Sequence, residues 1–280
     1  MSEVLQNTGN SFVYNVHEGE SLLGQVSRVI CIILPRGFVA AGFSERGDLL
    51  MIRYKEYDTS LPTWIVDFYE HHFIEEPLLT RPDAVVAVFF GTEKYLISPN
   101  EYFDEQIAKR WMQQLYFIED GEIIASHPIP EDRARYIFAV PGTMKGLANR
   151  YFPQANLLPL AVYQFTHRQK SDVTVQCCIT PEQVYATLYR NKKLLWHQVF
   201  SYLNGEDIAY QIKLACTEFD IQSDEIAVEC SLIHIGLNSV LESLSQYFNN
   251  IRQTEAGMMS SNKIWMPSIS LLQRLYVCAL

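Results

Sequence analysis

The chain has 280 residues, 48% hydrophobic and 19% charged, a globular and not a disordered composition with length enough for two ordinary domains. A formal net charge of −10 sets most of the surface against a phosphate backbone and argues against nucleic acid as a partner. No uninterrupted apolar stretch reaches the roughly 18 to 20 residues of a bilayer span, and the polar start "MSEVLQNTGN" has neither basic nor apolar leader region. A cytoplasmic protein is expected.

Residues 1–24 read as an N-terminal extension. From Val26, "VSRVICIIL", "FVAAGF" and "DLLMIRYKEY" are short apolar runs separated by "PRG" and "SERG", which predicts an antiparallel three-stranded meander. "TSLPTWIVDFYEHHFIEEP" then predicts an amphipathic helix, with Thr59 or Ser60 as N-cap, Pro62 in the first turn and Trp64, Ile65, Phe68, Tyr69 and Phe73 at helical spacing. "DAVVAVFFG" is a buried strand.

"TEKYLISP" is a returning strand. The helix "NEYFDEQIAKRWMQQLY" is expected to be capped by Asn100, with Phe103, Ile107, Trp111 and Leu115 on one apolar stripe. Strands "GEIIASHPI" and "ARYIFAVPG" and a helix opened by Thr143 follow. The order then restarts: "DVTVQCCIT", "VYATLYR" and "LLWHQVFSYL" as strands, "GEDIAYQIKLACTEF" as a helix and "EIAVECSLIHIG" as a buried strand. Pro181 lies 146 positions after Pro35, and the same offset superposes Cys177 on Cys31, Val184 on Phe38 and Ala186 on Ala40. One unit is written twice. The six cysteines sit mostly in apolar runs without a C-x-x-C pair and are expected as reduced core thiols.

Meander, helix and strand, duplicated, resembles the element order of the actin-like group, in which each lobe has a ribonuclease-H-like core. The resemblance implies an α/β, duplicated actin-like fold with two lobes around a cleft. The lobes would be 25–166, with an α+β insert at about 92–140, and 167–280, with a terminal helix 268–280 that, as in relatives, would pack on the first lobe. With the insert included, the order is similar to the pilus-assembly protein PilM, to the GspL cytoplasmic domain and to an uncharacterised bacterial family of actin-like ATPase fold.

In active members the turn between the first two strands carries an Asp that holds Mg²⁺ and a small residue that admits phosphate. Here the turns read "ILPRGF" and "ITPEQV", without an Asp. Arg36 and Gly37 in the first, and Thr180 in the second, are the candidate phosphate contacts; an ordinary hairpin has the same letters. Gly236 followed by a helix N-terminus at Asn238 or Ser239 is the candidate adenosine-side turn, although strand, Gly and polar cap recur in many α/β proteins. The reading is a non-catalytic scaffold or protein-interaction module that needs no cofactor, in the bacterial cytoplasm or on a peripheral membrane complex. The alternative is an ATP- and Mg-dependent ATPase or kinase-like enzyme drawing its carboxylate from Asp67, Asp207 or Asp220. A third reading fills the inter-lobe cleft with another small molecule. His71, His72, Glu75 and Glu76 cluster, and the His72–Glu76 spacing suits one helical face, but no third ligand follows and no metal is assigned. "TEAGMMSSNK", with Met258 and Met259, reads as a mobile connection or a contact segment.

Overall fold

A computed structural model describes residues 8–15, 22–168, 172–222, 225–253 and 265–280; the Met258–Met259 segment lies outside them. The chain divides into two units, one reaching Val162 and taking in Leu275–Leu280, the other Tyr163–Arg274.

In the first unit, β2 (Arg28–Leu34), β3 (Gly37–Phe43) and β4 (Leu49–Tyr57) form the antiparallel meander. Every residue of β3 is buried, because "GFVAAGF" offers water no polar face. Helix α1 (Val66–Glu75) carries the chain back so that β5 (Val85–Phe90) lies parallel to β2, and β9 (Asn156–Pro159) lies parallel to β5. At the far edge β1 (Thr8–Asn15) pairs antiparallel with β4, giving the order β1-β4-β3-β2-β5-β9. Sequence reading finds no strand in residues 1–24. An edge strand makes one ladder only and tolerates the polar letters of "TGNSFVYN".

Helix α1 starts later than Thr59 or Ser60. The Asp58 carboxylate accepts the Ser60 N–H at 2.8 Å and the Asp58 carbonyl accepts Leu61 N–H at 3.1 Å, so an Asx turn takes up the polar run. Trp64 follows in the left-handed region, φ 61°. Phe68, Tyr69 and Phe73 then form the buried face as expected.

The insert is a separate antiparallel sheet, β6 (Tyr95–Pro99), β7 (Glu122–Ile129) and β8 (Ala134–Pro141) in the order β6-β8-β7, crossed by α2 (Glu105–Leu115). Asp104, not Asn100, caps α2, accepting the Gln106 and Ile107 N–H groups at 2.9 and 3.0 Å; Asn100 opens a 3-10 turn instead. The expected inward stripe is also displaced. Ala108 and Met112 pack on Ile137 and Ala139, while Ile107 and Leu115 are 41% and 60% exposed. The apolar face that the sheet turns to α2 runs from Leu96 on β6 across Ile137 and Ala139 on β8 to Ile124 on β7, and the side chains of Ala108 and Met112 pack on it. Helix α3 (Gly142–Tyr151) completes this part of the chain.

In the second unit, α4 (Val162–Thr166) precedes β10 (Val173–Ile179), β11 (Gln183–Arg190) and β12 (Lys193–Ser201), again an antiparallel meander. Helix α5 (Gly205–Glu218), capped by Asn204, leads to β13 (Ala227–Leu232), parallel to β10. Helix α6 (Asn238–Leu244), β14 (Ile251–Gln253) and α7 (Met266–Ala279) follow, with α7 belonging to the first unit from Leu275 onward, and the sheet order is β12-β11-β10-β13-β14. The two meanders share register: Cys31 faces Ala40 and Ile33 faces Phe38, as Cys177 faces Ala186 and Ile179 faces Val184. The 146-residue offset thus holds across both hairpins. All six cysteines are free thiols, five of them buried.

Candidate functional site

In each unit the hairpin turn stands at the C-terminal end of the central parallel strands, where open α/β sheets receive ligands. Gly91 N–H donates to the Ile33 carbonyl at 2.8 Å in one, and Ile233 N–H to the Ile179 carbonyl at 3.0 Å in the other. These bonds hold the end of β5 beside β2 and the end of β13 beside β10.

The first turn is Pro35–Arg36. Its carbonyls are occupied by the chain itself: the Tyr69 hydroxyl donates to Leu34, and the Tyr57 hydroxyl at 2.9 Å and Trp64 N–H at 2.7 Å both donate to Pro35. Arg36 accepts Tyr57 N–H on its carbonyl at 3.0 Å and spends its Nε on the Leu61 carbonyl at 3.0 Å. Gly37 is explained by crowding, since a Cβ there would stand 2.5 Å from the Lys55 carbonyl oxygen. Burial raises the Tyr57 and Tyr69 hydroxyls above the ordinary phenol range, so both stay protonated and donate.

In the second turn, Thr180 is buried and its hydroxyl donates to the Gln183 carbonyl at 2.9 Å while accepting Gln183 N–H at 3.1 Å. The Tyr202 hydroxyl takes the Thr180 carbonyl at 2.7 Å. Beyond β13 the chain enters a 3-10 turn, Ile235–Leu237, before the seven-residue α6. Gly236 N–H donates to His234 Nδ1 at 3.0 Å. Burial pushes His234 down to about 4, which keeps the ring neutral and able to accept. Asn238 is half-buried and Ser239 exposed, and neither caps α6 with its side chain. Thr180 and the Gly236 turn therefore share one strand end in the second unit, while Arg36 and Gly37 lie in the first.

Of the alternative carboxylates, Asp67 is exposed in the first turn of α1, Asp207 accepts Leu203 N–H at 2.8 Å, and Asp220 is exposed at φ 52°. His72 and Glu76 are buried, not solvent-facing. His72 packs against Phe38 and Phe68, and burial, with Lys55 and His71 adding to it, pushes it down to about 4. Among the described residues no three His, Cys, Asp or Glu side chains gather as a metal site.

Sequence reasoning missed a polar row across the second sheet. His197, Thr187, Gln176 and Glu229 are successive neighbours on β12, β11, β10 and β13. Thr187 Oγ1 lies 2.8 Å from His197 Nδ1 and donates to Gln164 Oε1 at 3.1 Å; Gln176 Nε2 donates to Glu229 Oε2 at 3.2 Å. The matching row in the first unit is Ile52, Ala41, Ile30 and Ala87. The signal was present as single polar letters inside "VTVQCCI" and "AVECSL".

A duplicated β-β-β-α-β unit, with its turns at the ends of parallel strands and an α+β insert, defines a mixed α/β protein of actin-like fold. The chain belongs to the family described as "Protein of unknown function (DUF3822)", which matches residues 33–251. A Bacteroides thetaiotaomicron protein with actin-like ATPase fold and unknown function is similar over 93% of this chain and 100% of its own, at 15% identity and TM-score 0.71. The PilM–PilN type IV pilus biogenesis complex matches over 91% and 99%, at 12% identity and TM-score 0.59. The cytoplasmic domain of EpsL, an inner membrane component of the Vibrio cholerae type II secretion system, matches over 89% and 94%, at 6% identity and TM-score 0.48. No curated protein matches the sequence. Among the described residues no helix is long and apolar enough to cross a membrane.

Proposed function

We propose that the chain is a non-catalytic actin-like scaffold, a protein-interaction module of the bacterial cytoplasm that works without a bound nucleotide. The observation that carries this reading is the self-sufficiency of the first hairpin turn. Its carbonyls hold Tyr57, Tyr69 and the Trp64 N–H, its arginine is bonded to Leu61, and its glycine answers to the Lys55 carbonyl. The Arg36 Nε and Gly37 thus have structural roles within the hairpin itself. The Thr180 hydroxyl is committed to Gln183 in the same way, and neither turn supplies an aspartate for magnesium. The similar PilM structure is one of a complex with a second protein, which is consistent with a contact-making role for this fold.

A ligand that binds only the folded chain raises its melting temperature in proportion to the logarithm of its concentration over Kd. Thermal unfolding with and without millimolar Mg-ATP is expected to give one melting temperature. A rise of several degrees that disappears when ATP is omitted contradicts the reading.

A further inference from the structure

Exposed apolar surface is concentrated on the insert. Of the twelve large hydrophobic residues exposed among the described residues, five fall between positions 102 and 123: Tyr102, Ile107, Leu115, Phe117 and Ile123. Beside them, α2 and β6 enclose a groove of about 430 Å³ whose walls include Leu96, Ile97, Tyr102, Trp111 and Leu115. None of its lining residues is charged.

Strand β6 is an edge of its sheet. Two backbone bonds fix which way its residues point: Ala139 N–H donates to the Lys94 carbonyl at 3.0 Å and Asn100 N–H to the Arg133 carbonyl at 2.8 Å. Antiparallel alternation then turns the backbone groups of residues 94, 96, 98 and 100 toward β8 and those of Tyr95, Ile97 and Pro99 off the edge. The Tyr95 carbonyl accepts the Tyr116 hydroxyl at 2.9 Å, and the Pro99 carbonyl accepts the Ser98 hydroxyl at 3.2 Å. Ile97, at the middle of the strand, presents both an N–H and a carbonyl outward.

We propose that this edge and groove join a second copy of the chain, β6 pairing antiparallel with the second copy's β6 about a twofold axis at Ile97. Ile97 then exchanges two hydrogen bonds with its own counterpart. Tyr95 falls opposite the second copy's Pro99. Proline has no N–H to give, and the carbonyl that would have received it already holds the Tyr116 hydroxyl, so the missing donor leaves no acceptor wanting.

The axis stands perpendicular to the joined sheet and keeps both α2 helices on one face. Three strand spacings separate β8 from its counterpart, roughly 14 Å, and Tyr102, Trp111 and Leu115 of both copies fill the space between the helices. A twofold contact sets like residues near one another, so in a chain of net charge −10 a charged groove would oppose itself. This groove has no charge to oppose.

The test is the mass of the full chain by sedimentation equilibrium across a concentration series. The wild type is expected to approach twice the 32.3 kDa protomer mass. Trp111→Glu and Ile97→Pro are each expected to weaken association at least about tenfold with an unchanged circular dichroism spectrum, since the Ile97 N–H is not part of the β6–β8 ladder. Ile123→Glu, away from this groove, is expected to stay dimeric. Amide exchange at Ile97 gives a readout without substitution: slow when concentrated, fast on dilution. A wild-type mass of 32.3 kDa throughout, a dimer that survives both Trp111→Glu and Ile97→Pro, or exchange at Ile97 that ignores concentration overturns the proposal. Nucleotide binding is measured separately, so either idea can fail without the other.

Discussion

Tyr276 lies flat on Phe43, with ring centroids 4.2 Å apart and planes 12° from parallel, and its hydroxyl accepts a hydrogen bond from Arg28 Nη1 at 3.1 Å. Gly47, at φ 88°, closes over the ring; a Cβ there would stand 3.1 Å from Tyr276 Cε1. The last turn of α7 is thereby built into the core of the first unit.

Tyr276→Ala removes a buried aromatic ring and leaves a cavity, which is expected to cost about 3–5 kcal/mol. Tyr276→Phe keeps the stack and loses one hydrogen bond, expected at about 1 kcal/mol. Urea denaturation of the two variants checks the ratio.

Gly37 and Gly146 are expected to respond oppositely to alanine. At Gly37 the new methyl meets the Lys55 carbonyl oxygen at 2.5 Å, a backbone atom that cannot step aside, for a loss of about 1–3 kcal/mol. Gly146 lies exposed within α3 with nothing within 4 Å of a Cβ, and alanine there gains roughly 0.5–1 kcal/mol from helix propensity. Equilibrium unfolding of both variants measures the difference.

Acid is expected to destabilise the fold before carboxylates titrate. Burial pushes His72 and His234 down to about 4 and His197 to about 3, against roughly 6.5 in the unfolded chain. Each ring is neutral in the fold and gains a proton on unfolding, so its contribution is intact above pH 6.5 and drains away as pH falls toward the folded value. The slope is about 1 kcal/mol per pH unit per histidine. Glu76 works in the opposite sense, because burial raises its carboxyl and the fold takes up its proton more readily. Stability measured from about pH 7 to pH 5 should fall for the wild type and fall less steeply for His72→Phe.

Arg274 Nη2 donates to Glu229 Oε1 at 2.6 Å, and the two side chains are 16% and 5% exposed. Arg274→Met strands a buried carboxylate and is expected to cost about 3–5 kcal/mol, whereas the double variant Glu229→Met, Arg274→Met recovers most of it. Unfolding free energies of the single and double variants decide the point. A single variant as stable as the double contradicts it.

The duplicated frame was legible because it is written in periodic apolar runs. Cys31 and Cys177 meet Ala40 and Ala186 in register, as the spacing of the two prolines implied. Local competition was harder to read. Asp58 captures the residues that looked like a helix cap, and α2 chooses between two apolar stripes according to the sheet its flanking strands build, which helical periodicity alone does not encode. At the candidate site the letters showed which turns lacked an aspartate. They did not show that Tyr57 and Tyr69, from β4 and α1, return to fill those carbonyls, nor that His234 holds Gly236. These are long-range or side-chain-to-backbone bonds with no periodic trace.

Isothermal titration of the full chain with Mg-ATP examines the scaffold reading most directly. No saturable heat is expected. Stoichiometric binding with a micromolar dissociation constant, lost on Gly236→Trp in a chain that keeps its circular dichroism spectrum, would contradict it.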